Sequence, residues 1–126
     1  MKKLLFVLAF CGWLWGAEEN PYKIAAAPDG GVILADPLRQ LVRIIYRDDT
    51  EITVRNNFDQ PQAAVRDRDG NLYVLDTGAQ RLWKFVYKNG FQPAGSLGGW
   101  RYPRDLALSP DHKWLYVLDS GSNKIT

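Results

Sequence analysis

Leu72-Tyr73-Val74-Leu75-Asp76 is a run of four apolar residues closed by a carboxylate. Val32-Ile33-Leu34-Ala35-Asp36 and Leu115-Tyr116-Val117-Leu118-Asp119 repeat it on either side. Four successive apolar positions do not fit a strand with one wet face, which alternates with period two; they fit a strand buried on both faces. Ahead of each run a Pro stands eight residues before an Asp: Pro21 and Asp29, Pro61 and Asp69, Pro103 and Asp111. The prolines are spaced by 40 and 42 residues. Landmarks that recur in one order at one spacing define a repeat, and the period governs how every residue inside it is read.

Each repeat reads as an antiparallel meander. A first strand, expected over 22–28, 62–67 and 104–109, begins at the proline, where a missing N–H is tolerated. Ala25, Ala26, Ala63, Ala64 and Ala107 keep it slender where several strands converge. Asp-Gly then turns the chain at 29–30 and 69–70, because Gly accepts the positive φ of a tight hairpin. The third repeat has Asp111-His112-Lys113 instead and is one residue longer there. After the apolar second strand, Trp83, Phe85 and Tyr87 alternate with Lys84 and Lys88 in a third strand with one buried face. The fourth, Glu51 to Arg55 and Phe91 to Leu97, is polar at alternate positions and carries Pro93, so it belongs at an edge. Four antiparallel strands per forty residues, with the second doubly buried, make the blade of an all-β propeller.

The 126 residues are 46% hydrophobic and 24% charged, enough apolar material for a globular core and too little for a multi-span membrane protein. Lys2 and Lys3 precede Leu4 to Ala17, a stretch without charge that ends at Glu18 and Glu19. As a helix those fourteen residues would span about 21 Å, short of the roughly 30 Å hydrocarbon core, so 1–17 reads as a secretory signal and the location as periplasmic or secreted. A membrane association is expected only if this segment is retained. Cys11, the single cysteine, lies inside it, so the processed chain would have no disulfide. Without Lys2 and Lys3 the chain has 14 basic and 14 acidic side chains.

Asp76-Thr77-Gly78-Ala79-Gln80-Arg81-Leu82 and Asp119-Ser120-Gly121-Ser122-Asn123-Lys124-Ile125, each behind its Pro and Asp landmarks, closely resemble the NHL-repeat family of propellers over residues 21–126. Repeat one departs from the family in having Leu41 where a basic residue is usual, and repeat three, with Trp114-Leu115-Tyr116-Val117, is also similar to YVTN-type propellers. The resemblance implies a propeller segment over 18–126, with blade 1 at about 21–60, blade 2 at about 61–102 and a partial blade 3 at about 103–126. Propellers usually close with four to eight blades, so the sequence reads as an incomplete N-terminal arc of about two and a half. Such propellers include binding modules and enzymes, among them peptide-amidating lyases and lactonase-type hydrolases, so the resemblance specifies fold more than function.

Asp36, Asp76 and Asp119 recur in every repeat, so a task that every blade needs explains them: bonding main-chain N–H groups of the following loop. Arg81 and Lys124, five residues on, are assigned to the same loop. Asp67-Arg68-Asp69-Gly70-Asn71 lacks the later ligands and closing Glu of a calcium loop, and His112 is the only histidine, so no metal site and no Ser-His-Asp triad is expected. No Gly-rich phosphate loop stands in a strand-to-helix context, and no cofactor is expected. Export and charge balance both disfavour nucleic acid as a partner.

Gly98-Gly99-Trp100-Arg101-Tyr102-Pro103-Arg104 is the segment least like its counterpart, Asn56-Asn57-Phe58-Asp59-Gln60-Pro61-Gln62. Two arginines and two aromatics here are not demanded by the repeat. Trp100, Arg101, Tyr102 and Arg104 are therefore the candidate ligand-binding residues, on a face where propellers commonly bind. Arginine pairs with carboxylate or sulfate, and an aromatic face suits a peptide side chain or sugar ring, so a protein, peptide or glycan partner, favourably anionic, is expected. The sequence thus reads as an exported scaffold, with a propeller enzyme as the alternative.

Overall fold

The computed structural model describes residues 23–122 and 124–126; the signal assigned to 1–17 lies outside them. The described residues form eleven strands in three antiparallel sheets. Blade 1 comprises β1 (Lys23–Ala26), β2 (Val32–Asp36), β3 (Leu41–Ile45) and β4 (Glu51–Val54). Blade 2 comprises β5 (Pro61–Arg66), β6 (Leu72–Asp76), β7 (Arg81–Tyr87) and β8 (Phe91–Leu97). Blade 3 contributes β9 (Pro103–Leu108), β10 (Leu115–Asp119) and β11 (Lys124–Ile125). Each sheet is ordered as the chain runs, which makes every blade a simple meander.

The register carries the repeat into three dimensions. Asp36 pairs with Leu41 and Asp76 with Arg81, closing equivalent four-residue turns. Ala35 lies opposite Lys23, Leu75 opposite Ala63 and Leu118 opposite Asp105, so Lys23, Ala63 and Asp105 hold one position in three successive inner strands. Ala63 is small and buried between the other two, and Lys23 Nζ pairs with Asp105 Oδ2 at 3.1 Å, linking the first inner strand to the third.

Side chains of β6 leave in both directions to fill two seams, and β2 contributes to the first. Ile33, Val42, Ile44 and Phe58 from the blade 1 side meet Ala64, Leu72, Val74 and Phe85 of blade 2. Ala63, Leu75 and Leu82 meet Leu106 and Val117 of blade 3. Alternation within β6 thus serves two seams, Leu72 and Val74 facing blade 1 and Leu75 facing blade 3; β2, with Ile33 in the first seam, is buried along its whole length. β10 differs from this doubly buried expectation. Val117 is buried, while Tyr116 and Leu118 are 44% and 43% exposed, because a described sheet covers one face of β10.

β8 lies at the edge of blade 2, largely exposed, with a register shift opposite Pro93 where a proline cannot complete the ladder. In the β5–β6 turn, Asp67 accepts from the main-chain N–H groups of Asp69 and Asn71 and from the side chains of Asn71 and Tyr73. Burial raises the Asp67 pKa, but these donors outweigh it and the net shift is downward.

Candidate functional site

The β2–β3 and β6–β7 turns share one face of the arc with the connectors that carry the chain from each outer strand to the next inner strand. A common set of bonds joins them. Asp76 accepts from the main-chain N–H of Asp59 at 2.8 Å and of Gln60 at 2.7 Å, both in the connector entering blade 2, and from Ala79 in its own turn. Asp119 repeats this in blade 3, accepting from Arg101 at 3.1 Å, Tyr102 at 2.8 Å and Gly121 at 3.1 Å, and from Ser122 Oγ at 2.6 Å. The Ser122 hydroxyl first, then the main-chain N–H groups of Tyr102, Arg101 and Gly121, hold the Asp119 carboxyl down to about 2 against the opposing effect of burial. In blade 1 the described donors to Asp36 are the main chain and guanidinium of Arg39.

The carboxylates therefore do more than bond the loop that follows them: Asp76 and Asp119 also anchor the connector that precedes their blade. The preceding blade supplies the other half of the grip. Gln40 Nε2 donates to the Asp59 carbonyl at 3.0 Å, and Gln80 Nε2 donates to the Arg101 carbonyl at 2.6 Å. Gln40 and Gln80 both adopt a left-handed φ, near 60° and 56°, which aims them out of the turn. One residue per connector, Asp59 or Arg101, is thus held at its N–H by the following blade and at its carbonyl by the preceding one. Sequence reading missed the two glutamines; the signal was an amide four residues after each repeated Asp, which by itself looks like an ordinary polar turn residue.

Arg81 Nε donates across to Ser96 Oγ on β8 at 2.9 Å, so its hydrogen bond goes to the outer strand and not to the Asp76 turn to which it had been assigned. Lys124, assigned to the equivalent turn, is exposed at the start of β11 and lines a cleft of about 380 Å³.

The four candidate ligand-binding residues divide into two pairs. Trp100 is half-buried and packs against the blade 2–blade 3 core, the counterpart of Phe58, which is buried at the other seam and meets Phe85 edge to face at 6.0 Å. Trp100 and Arg101 line the cleft together with Ser122 and Lys124. Tyr102 and Arg104 are exposed and stack, with the guanidinium 5.4 Å from the ring centroid. Gly121 permits the close approach of the turn to this loop, since a Cβ there would lie 2.7 Å from Arg101 Cβ and 2.8 Å from the Tyr102 nitrogen. The main chain is fixed on both sides while the side chains of Arg101, Tyr102 and Arg104 stay accessible, an arrangement suited to recognition by hydrogen bonds and a flat ring. Among the described residues no three His, Cys, Asp or Glu side chains come together to hold a metal, and no helix is long and apolar enough to cross a membrane.

Meander sheets set around a line of adjacent inner strands, with each connector gripped by the blades on both sides, define a β-propeller. Residues 58–85 match the NHL repeat, from Phe58 in the connector entering blade 2 through most of β7. Among solved structures the chain is similar to virginiamycin B lyase from Staphylococcus aureus, at TM-score 0.67 and 14% identity, over 83% of this chain and 36% of that one. It is also similar to hydrazine synthase of Kuenenia stuttgartiensis, at TM-score 0.59 and 22% identity over 82% and 33% of the two chains. A candidate 6-phosphogluconolactonase from Bacteroides uniformis aligns at TM-score 0.61 and 20% identity over 81% and 36%. The chain spans about a third of the length of each of these structures. A search of curated proteins returns no significant match.

Proposed function

We propose that this chain is an exported propeller scaffold that captures an anionic protein, peptide or glycan through the loop face bearing Arg101, Tyr102 and Arg104. The observation that carries the reading is the division of labour in the 98–104 connector. Gln80 and Asp119 hold its main chain, while the side chains of Arg101, Tyr102 and Arg104, which stand where the equivalent connector has Asp59, Gln60 and Gln62, project from a rigid base. A pre-ordered loop loses little conformational freedom on binding, which favours affinity. Lys2, Lys3 and the uncharged stretch at 4–17 support export.

An acidic-peptide array and a sulfated-glycan array, screened with the whole chain, test the binding reading. Retention on acidic or sulfated probes over neutral ones is expected; indifference to probe charge contradicts it. Mass spectrometry of protein expressed with its own N-terminus tests export: removal of about the first 16 or 17 residues supports it, and an intact soluble form counts against it.

A further inference from the structure

The opposite face of the arc carries a second set of departures from the repeat. At the end of the first strand, blades 1 and 3 have Ala26 and Leu108 where blade 2 has Arg66. Two residues on, Pro28 and Pro110 correspond to Arg68, and after a further two, Gly30 and Gly70 correspond to His112. These exceptions come from two different blades, yet they are the three polar residues lining a single cavity of about 430 Å³ at the ends of β1, β5 and β9. The rest of its wall is apolar and includes Ala26, Ala27 and Leu108, and no carboxylate belongs to it.

Each polar group is positioned and keeps donors in reserve. The Arg68 main-chain N–H donates to His112 Nδ1 at 3.1 Å, which makes Nδ1 the acceptor and leaves the proton of the neutral ring on Nε2. Arg68 Nη2 donates to the Pro110 carbonyl at 3.0 Å, fixing the guanidinium against the neighbouring turn. Arg66 lies between the rings of Tyr46 and Phe91, 6.0 and 5.7 Å from their centroids, and touches Asp29 through Nη1 at 3.5 Å. Its Nε is buried without an acceptor, enclosed by these neighbours, so what Arg66 offers the cavity is its positive charge and its terminal nitrogens. Of the nearby carboxylates, Asp29 is paired with Arg66, Asp67 is engaged in its own turn, and Asp111 is held by Ser109 and the Lys113 main chain. His112 has φ near 60°, a conformation uncommon for any residue other than Gly, where the other two repeats use Gly.

We infer that this cavity is a binding site for a small organic anion, a carboxylate or phosphate ester carried on an apolar body, held by Arg68, Arg66 and the His112 Nε2–H. Two guanidinium groups and an imidazole donor supply charge-assisted bonds to the anionic head. The alanine and leucine wall accepts the apolar part, and the volume falls at the lower end of the range for ligand pockets.

The test titrates the whole chain with benzoate, phenyl phosphate and the neutral benzyl alcohol, read by calorimetry and by NMR of the His112 ring and the Arg68 amide. Saturable binding of at least one anion, with both signals shifting and no matching response to benzyl alcohol, is expected. Arg68→Gln and His112→Gly should each weaken that binding by about tenfold or more. His112→Gly restores the residue of the other two turns, so it keeps the fold even if Arg68→Gln does not. Absence of saturable binding, equal binding of the alcohol, or wild-type affinity in folded His112→Gly overturns the assignment. Arg101→Glu/Arg104→Glu, on the other face, should leave it unchanged, which separates this site from the proposed partner surface.

Discussion

Gln80 and Arg101 are joined by a 2.6 Å hydrogen bond from the side-chain amide of one to the main-chain carbonyl of the other, across the boundary between blades 2 and 3. Since Asp119 takes the N–H of the same Arg101, both polar groups of one peptide residue are fixed by flanking blades. The bond uses only the main chain of Arg101, so its side chain is not part of the blade junction's own hydrogen-bond network. The equivalent junction, Gln40 to Asp59 to Asp76, holds an acidic residue by the same contacts.

Gln80→Ala should release the Arg101 carbonyl to water at a cost of about 1 kcal/mol, the net worth of a typical hydrogen bond. Urea denaturation measures that loss. Hydrogen exchange should localise the change to 98–102 and leave the β5–β6 hairpin protected; uniform loss of protection would show that Gln80 supports the whole fold.

Asp76→Asn should destabilise more, by about 2–3 kcal/mol, because a buried carboxylate receiving three main-chain N–H groups is replaced by an amide with one acceptor atom. The same change at exposed Asp69 should alter stability by less than about 0.5 kcal/mol. Equal unfolding midpoints for the two variants would contradict the connector role of Asp76.

Acid should loosen the Arg101 loop in a defined window. The folded pKa of Asp119 lies at about 2, below its ordinary 3.8, so the charged form is favoured in the folded state. Its contribution is fully present above 3.8 and is lost as pH falls from there through about 2. Asp67, also lowered, acts in the same direction. The Tyr102 amide resonance should titrate with a midpoint near 2, and Asp119→Asn should flatten the fall in melting temperature across that window; a midpoint near 3.8 would refute the assigned bonds.

What the sequence made legible depends on whether the signal was local. The apolar quartets, the Asp-Gly turns and Pro93 each act within one hairpin, and the strands lie where those residues require them. β10 departs from the doubly buried pattern because burial is decided by a neighbouring sheet and not by the strand itself. The reach of Gln40 and Gln80 was hidden for a related reason: an amide in a turn reveals its partner only when the next connector is placed against it. Trp100 and Arg101 are adjacent in sequence and both stand among the candidate ligand-binding residues, with packing between blades the other reading for Trp100; the seam claims the indole as Phe58 is claimed at the other junction. Arg66, Arg68 and His112 are separated by up to 46 residues, and only the adjacency of β1, β5 and β9 gathers them into one cavity.

The most direct test of the proposed partner surface is charge reversal at Arg101 and Arg104 together, measured as retention on the acidic or sulfated probe selected by the arrays. Both side chains are exposed, and exposed charges contribute little to stability, so the melting temperature should stay within a few degrees of wild type. Retention should fall at least about tenfold, the loss of one charge-assisted contact or more. Undiminished retention by a folded Arg101→Glu/Arg104→Glu variant would contradict the account.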